Sequence, residues 1–523
     1  MTSGKLIAFL SDPSRYPHGP QSVHTVETHI SHVFIAGDRV FKIKKPVNFG
    51  FLDFTTLEKR EFYCREELRL NRRLAEDVYL GVLPIHEDGN GDLNWEGRGN
   101  VVEYAVLMKR IPEDRMLGSL LSKKEVEPAV MERIAAKIRR FHGEASTGGE
   151  IDEIGGFETV RRNHEENFEQ TEPYVGITIL RREYDFLRAW ALGFLEAREP
   201  LFRKRVREHR IRECHGDLHL QHICLTNGIV IFDCIEFNKR FRYLDTAAEV
   251  AFLAMDLDFH GYGGFGRVFV DAYLRESGDG ELPVLLPFYQ CYFAFVRGKV
   301  TGFRLDDPGL APADRKGIEE EARRYFRLAF SYGIRLDRPA LIVMSGWMGT
   351  GKSLVARCLA PLLGAEILRM DVLRKELLEI SPTDHHYEEF GKGIYGEEMN
   401  RRTYEEGLRR AKALLKAGRS VILDGSFRSG RDRLAAMEAA TSLSAPFFMI
   451  YCVAPDEILR RRLEKRKQSG MDASDGRWEL LESQKKSFDP IEGVPRESLI
   501  TLDTSGKIDE ITDRALLRIR TGR

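Results

Sequence analysis

Residues 340–353 read ALIVMSGWMGTGKS, and the closing segment Gly346-Trp347-Met348-Gly349-Thr350-Gly351-Lys352-Ser353 matches G-x-x-x-x-G-K-[ST] at every fixed position. The apolar run before the turn reads as a buried strand, and KSLVARCLAPLL after it has helical spacing. Glycines let successive backbone N–H groups curve around phosphate oxygens. The helix N-terminus that follows adds its dipole. Gly346, Gly349, Thr350 and Gly351 are therefore the expected cradle for the phosphates of ATP. Lys352 would reach the β- and γ-phosphates, and the Ser353 hydroxyl would hold Mg2+. A chance match in a turn is the plain alternative, but it does not account for a strand before the motif and a helix after it.

Downstream, strand and helix patterns alternate: EILRM, a long helix to Ala417, SVILDGS, another helix, then FFMIYCV. That alternation implies a parallel sheet covered by helices. In SVILDGSF, Asp424 closes an apolar strand, where a carboxylate near the metal or its water belongs. Alone, such an Asp is usually a turn starter. Asp371 lies at the end of EILRM, with Arg374 one helical turn later on the same face. The pair suits proton acceptance from an attacking hydroxyl and a bidentate grip on an anionic acceptor. N-capping of the next helix is the other reading of Asp371. Arg462 and Arg466, four residues apart in EILRRRLEKRKQSG, could close over ATP as a lid. A solvated basic helix face explains any single Arg there equally well.

From about Pro339 to the end, the chain resembles the P-loop kinases that include polynucleotide 5′-kinases, zeta-toxin-like kinases and gluconate kinases. The carriers are SGWMGTGKS, MDVLRKEL, AGRSVILDGSF and the Arg-rich segment with ASDGRWELLESQ. The resemblance implies that Asp371 is the general base and that Arg374 grips the acceptor. It does not fix which acceptor.

Upstream, the helical text ADRKGIEEEARRYFRLAFSYG gives way to GIRLDRP, and Pro339 is a natural breaker. The expected domains are therefore 1–334 and 335–523. In the first, HTVETHISHVFIAGDRVFKIKKPV reads as strands with a hairpin turn at Gly37-Asp38. LEKREFYCREELRLNRRLAED is helical, and NVVEYAVLMKRI is another strand. Helices dominate from about Lys123 to His209. A second β-rich patch, CHGDLHLQHICLTNGIVIFDCIEF, carries the hairpin signal Asn227-Gly228. Here Asp217 falls in a loop and Asp233 at a strand end. Phosphoryl transfer needs one carboxylate to orient the acceptor hydroxyl and another to hold Mg2+, and strand–loop–strand spacing can deliver both to one cleft.

This half resembles the aminoglycoside phosphotransferase and protein-kinase-like fold, whose catalytic loop reads H-G-D-x-x-x-x-N. The resemblance implies that Asp217 is the catalytic base and Asp233 the metal-binding carboxylate. It also implies a small lobe of about 1–110 and a large lobe of about 111–334. VFKIKK then supplies Lys42 as the phosphate-binding lysine, with Lys44 on the same strand face as second choice. Glu67, on a helix face shared with Leu70 and Leu74, can pair with it. Solvated surface charge is the alternative for each. Two features depart from the pattern: His222 occupies the Asn position, and ETHISHVF stands where a glycine-rich loop would be. A neutral imidazole can ligate a metal but is softer than an amide oxygen. With KKPVNFGFLDF and FDCIEFNKRFRYLD, nearly the whole chain is similar to a bacterial family. Its members fuse an aminoglycoside-phosphotransferase-like domain to an ATP-binding predicted kinase.

The remaining arithmetic excludes more than it assigns. With 523 residues, 80 Lys+Arg and 81 Asp+Glu, the formal charge is -1, which does not suit a chain built to coat nucleic acid or an anionic membrane. No stretch approaches the roughly 20 apolar residues of a membrane span, and the N-terminal text lacks a secretory pattern. The 7 cysteines form no C-x-x-C pair, so a reducing cytoplasm is expected. A zinc cluster of His215, His219 and His222 with Cys214 or Cys224 has no standard spacing. FYQCYFAFVRGKVTGFRL reads as helix core rather than a stacking surface for bases. The expected architecture is α/β: a bilobal kinase-like α+β domain, then a P-loop parallel-sheet α/β/α domain. The expected partners are ATP, Mg2+ and an unidentified hydroxyl acceptor. A ligand-sensing pseudokinase in the first half and a polynucleotide 5′-hydroxyl kinase in the second are the competing readings.

Overall fold

The structure is a computed structural model and describes residues 3–50, 52–336, 338–381, 393–469 and 477–521, without the side chains of 3, 466–469 and 521. It divides into two compact units, Met1–Gly333 and Ile334–Arg523.

The first unit opens with a six-stranded antiparallel sheet. Its strands are β1 (Val23–Glu27), β2 (Ser31–Ala36), β3 (Arg39–Lys44), β4 (Tyr79–Glu87), β5 (Leu93–Asn94) and β6 (Asn100–Lys109), in the order β1-β2-β3-β6-β4-β5. The β2–β3 turn is Gly37-Asp38, with Ala36 opposite Arg39 and Gly37 at φ 66°. This positive φ is what a tight hairpin demands. Alternation then sends Phe34, Ala36, Phe41 and Ile43 to one face, against Leu6, Phe9, Leu10 and Tyr16 of the N-terminal segment. Lys42 and Lys44 share one strand parity and lie along the opposite chemistry: ion pairs rather than core. The helix Leu57–Ala75 starts where the Thr56 hydroxyl accepts from the Lys59 N–H at 3.3 Å. It buries Cys64, Glu67, Leu70, Asn71 and Leu74, a face of helical period.

The rest of this unit is helical, with two small sheets set among the helices. One pairs β7 (Ile211–Glu213) with β10 (Tyr243–Asp245), and the other pairs β8 (Ile223–Leu225) with β9 (Ile229–Ile231). The aromatic stretch beginning at Phe288 lies in the helix Leu282–Phe303 and is core: Phe293 stacks on Phe252 at 4.2 Å and Phe288 on Phe194 at 4.5 Å. Arg205 is fully buried, forked onto Asp245 at 2.8 and 2.6 Å and donating to Asp279 at 2.6 Å. A β-rich lobe followed by a helical lobe holding two small two-stranded sheets is the bilobal protein-kinase-like arrangement.

The second unit is a parallel sheet of β11 (Leu341–Ser345), β12 (Ala365–Arg369), β13 (Ser420–Asp424), β14 (Phe447–Val453) and β15 (Leu499–Asp503). The order is β12-β13-β11-β14-β15. Every residue of β11 and β13 is buried, as strands covered on both faces must be. Leu341, Val343, Val421, Leu423, Phe447 and Met449 pack on one face with Met370, Leu373, Tyr404 and Ala436. The helices Lys352–Leu363 and Ile508–Thr521 cover the other face. This is the P-loop three-layer α/β/α fold. β12 ends at Arg369, one residue earlier than EILRM suggests, because Arg369 is already the N-cap of the helix Met370–Leu377. Asp371 therefore stands in the first turn of that helix. No helix among the described residues is long and apolar enough to cross a membrane.

Candidate active sites

In the second unit, the carboxyl ends of the strands bring one constellation together, at the edge where open α/β sheets bind ligands. β11 runs straight into the loop 346–351. Gly346 has φ 129°, and a side chain there would run into the carbonyl oxygen of Cys452. Gly349, at φ 81°, would press a Cβ to 3.1 Å from Leu463. Both positions require glycine on backbone and space grounds. The loop is braced from within: the Thr350 hydroxyl donates to the Trp347 carbonyl at 2.7 Å, and Lys352 Nζ donates to the same oxygen at 2.7 Å. Lys352 thus lies folded over the cradle's own rim.

Asp424, at the end of β13 and opposite Met344 of β11, is buried. Burial raises its pKa, and the nearby Asp371 carboxylate adds to that; the Ser353 hydroxyl, Lys352 and Arg369 oppose it. Arg369 Nε lies 3.6 Å from Asp424 Oδ2. A hydroxyl and two carboxylates gathered around Asp424 form a hard oxygen donor set, and they fit Mg2+.

Arg462 sits on the helix Asp456–Ser469 and is pinned against the loop. Its guanidinium donates to the Thr504 carbonyl at 2.6 Å, the Thr504 hydroxyl at 3.2 Å and the Gly349 carbonyl at 3.4 Å. The Arg466 side chain lies outside the described residues. Arg374 is buried; Nη1 donates to the Ile394 carbonyl and Thr403 hydroxyl, both at 3.4 Å, and the guanidinium lies 4.9 Å over Tyr395. Its Nε has no hydrogen-bond partner among the described residues. Two residues at this edge escaped the sequence reading. Gln484 accepts from the Met348 N–H at 2.8 Å, and the Thr504 hydroxyl donates to the Thr350 carbonyl at 2.6 Å. Thr504 directly follows β15, so the end of one more strand at the same edge was the available signal.

In the first unit, Lys42 Nζ lies 2.8 Å from both Glu67 and Asp233, while Lys44 pairs with Glu67 at 2.8 Å and with Glu236. The structure thus brings Lys42, Glu67 and Asp233 together, with Lys44 as a second cation behind them. Burial raises Asp233's pKa, but Lys42 and His222 outweigh it and hold the carboxyl well below the usual range. Burial likewise opposes ionisation of Asp217, yet the His219 and His222 imidazoles and Arg297 keep it ionised far below the ordinary value. Both carboxylates are charged at neutral pH. Burial also pushes the His222 imidazole down to about 4.

The loop carrying Asp217 is fastened by groups the sequence reading missed. Glu249 accepts from the His215 and Gly216 N–H groups, both at 2.7 Å, and pairs with His142 Nε2 at 2.8 Å. Asp256 accepts from the Leu220 N–H at 2.9 Å. His215 Nε2 donates to the Phe232 carbonyl at 2.9 Å, latching the loop to the segment before Asp233. Glu249 and Asp256 are two turns apart on one face of the largely apolar helix Thr246–Phe259, and that pattern was the available signal.

Comparison with known proteins adds three likenesses and one family match. Residues 341–491 match the AAA domain family. An uncharacterized protein of Mycobacterium tuberculosis is 32% identical over 453 residues, 86% of this chain and 87% of the relative. A gluconokinase from Sinorhizobium meliloti is similar over 35% of this chain and 91% of its own, at 20% identity and a TM-score of 0.26. A choline/ethanolamine kinase family protein from Mesorhizobium loti is similar over 63% of this chain and 99% of its own, at 14% identity and a TM-score of 0.38.

Proposed function

The chain belongs to one family with that mycobacterial protein, a similarity too long for either unit alone, and from this premise we propose that both units serve an ATP-dependent phosphotransferase. The second unit transfers the γ-phosphoryl group of ATP to a hydroxyl of a small-molecule or nucleotide-like acceptor. The observation that carries this reading is the meeting of Lys352, Ser353, Asp371 and Asp424 at one strand edge, beside a loop with glycines at 346, 349 and 351 in positive-φ conformations. Mg-ATP, when bound, supplies the transferable phosphoryl group and the cation that neutralises its oxygens. The amides of 349–353 bind the phosphates, and Lys352 leaves the Trp347 carbonyl to reach them. Ser353 and Asp424 hold the cation. Asp371 takes the proton of the acceptor hydroxyl, and Arg374 steers an anionic group of the acceptor. Arg462 keeps the loop closed through its carbonyls.

The first unit carries a second set of the same kind: Lys42 tied to Glu67, Asp217 as base, and Asp233 with His222 toward a cation. Its competing reading is a ligand sensor that acts on the second unit. The existing ion pair of Asp233 with Lys42 supports that alternative. All seven cysteines are free thiols, which supports a reducing, cytoplasmic setting.

The test is a hydroxyl-acceptor screen with labelled ATP on the full chain, comparing the native protein with Lys352→Ala and Asp217→Asn. The expected product is lost in Lys352→Ala and kept in Asp217→Asn. Product lost in Asp217→Asn alone assigns the chemistry to the first unit instead. Unchanged product in both variants overturns the reading.

A further inference from the structure

Three histidines crowd the loop around Asp217, and their hydrogen bonds sort them into different jobs. His215 presents Nε2 to the Phe232 carbonyl, so that nitrogen carries the proton, and its Nδ1 accepts from the Asp217 N–H at 3.3 Å. Both of its nitrogens are used. His219 Nδ1 accepts from the Gln221 N–H at 3.3 Å, which leaves the proton on Nε2, aimed at Asp217 Oδ2 at 3.5 Å. His219 therefore orients the carboxylate and has no lone pair to offer.

His222 is the opposite tautomer. Its Nδ1 lies 2.9 Å from the Asp217 carbonyl oxygen, and a carbonyl only accepts, so the proton is on Nδ1. The Nε2 lone pair then points at Asp233 Oδ2, 3.5 Å away. A lone pair facing a carboxylate is repulsive unless a cation stands between them. Two donors each about 2.1 Å from one metal ion are on the order of 3.0–3.5 Å apart. A backbone carbonyl that fixes the tautomer of a ligating imidazole is the usual support for a metal-bound histidine. Asp233 itself is held at φ 62°, a left-handed backbone that a residue other than glycine adopts when something specific requires it.

We infer that His222 Nε2 and the Asp233 carboxylate hold a first-row transition dication of the Zn2+ class in preference to Mg2+. The inference rests on reading Asp233 as a cation ligand. It differs from the cluster that proximity alone suggests, Asp217 with His219 and His222, because the tautomers exclude His219. Imidazole nitrogen favours zinc-like ions, whereas Mg2+ takes oxygen. The two units therefore differ in metal preference, the second being all oxygen at Ser353 and Asp424.

The experiment is calorimetric titration of the full chain with Zn2+ in excess Mg2+, with histidine 15N spectra recorded alongside. One Zn2+ is expected to bind and to move the His222 Nε2 resonance while Mg2+ leaves it in place. His222→Asn is expected to weaken that Zn2+ binding by about 10–100-fold. The 15N spectra of the unaltered chain carry the test even if the variant folds poorly. A His222 ring protonated on both nitrogens at neutral pH, with no response to Zn2+, overturns the inference, since an imidazolium then bridges the two aspartates. Should Mg2+ keep Zn2+ from binding at Asp233, with the His222 resonance unmoved by either ion, the metal preference falls and the cation site stands. If neither ion binds, both fall.

Discussion

Replacing Lys352 with alanine lowers ATP turnover by the full chain by about 100- to 1,000-fold, the loss typical of removing one group that stabilises charge in the transition state. The size follows from where the lysine stands. Its ammonium is held 2.7 Å from the Trp347 carbonyl, at the rim of the glycine cradle. From there the side chain needs only to rotate to meet a β- or γ-phosphate oxygen. Among the described residues near that edge, Arg462 is committed to Thr504 and the Gly349 carbonyl, Arg369 to Asp424, and Lys485 to Asp456 at 2.8 Å. None can substitute without giving up a structural bond. The effect belongs in the turnover rate more than in nucleotide affinity, because charge on the transferring group is greatest in the transition state. Steady-state rates of the native chain and the variant check this. A rate within about threefold of native would remove Lys352 from the chemistry.

Glu67→Ala destabilises the first unit by about 3–5 kcal/mol, the cost of breaking a buried ion pair and stranding its partner. Glu67 is fully buried and divides its two oxygens between Lys42 and Lys44, each at 2.8 Å. Burial opposes its ionisation, but the two lysines overcome that and its pKa is lowered. The pair therefore contributes stability that is present above the ordinary Glu range and is lost as pH falls through the lowered value. Removing the carboxylate leaves Lys44 with Glu236 alone, inside a buried setting. Glu67→Gln keeps one acceptor and costs less. Urea unfolding, followed by amide exchange in β3 and the helix Leu57–Ala75, reads the loss in the unit concerned. Unchanged protection in Glu67→Ala would mean that the lysines find water instead.

The legible parts of this molecule are those whose reason lies within a few residues. The loop at 346–353 could be read because glycine positions, strand and helix all fall inside one short segment. The Gly37-Asp38 hairpin could be read because a two-residue turn and strict alternation specify each other. Lys42, Glu67 and Asp233 were singled out through the resemblance to the kinase-like fold, although the sequence could not show that Lys44 shares Glu67. What escaped is what acts across long stretches of chain. Gln484 satisfies a loop amide 136 positions away, and nothing near Gln484 announces it. Glu249 fastens the Asp217 loop from a helix that otherwise reads as plain core. The end of β12 was misplaced by one residue because Arg369 can end a strand and cap a helix at once.

The central claim is that the backbone amides of residues 349–353 grip the phosphates of a nucleotide. Amide hydrogen exchange of the full chain, with and without saturating Mg-ATP, addresses those N–H groups themselves. The account predicts that peptides spanning this loop exchange at least about tenfold more slowly with nucleotide, as amides bound to an anion do. Exchange in the loop unaltered by Mg-ATP, at concentrations where calorimetry shows nucleotide bound, would contradict it.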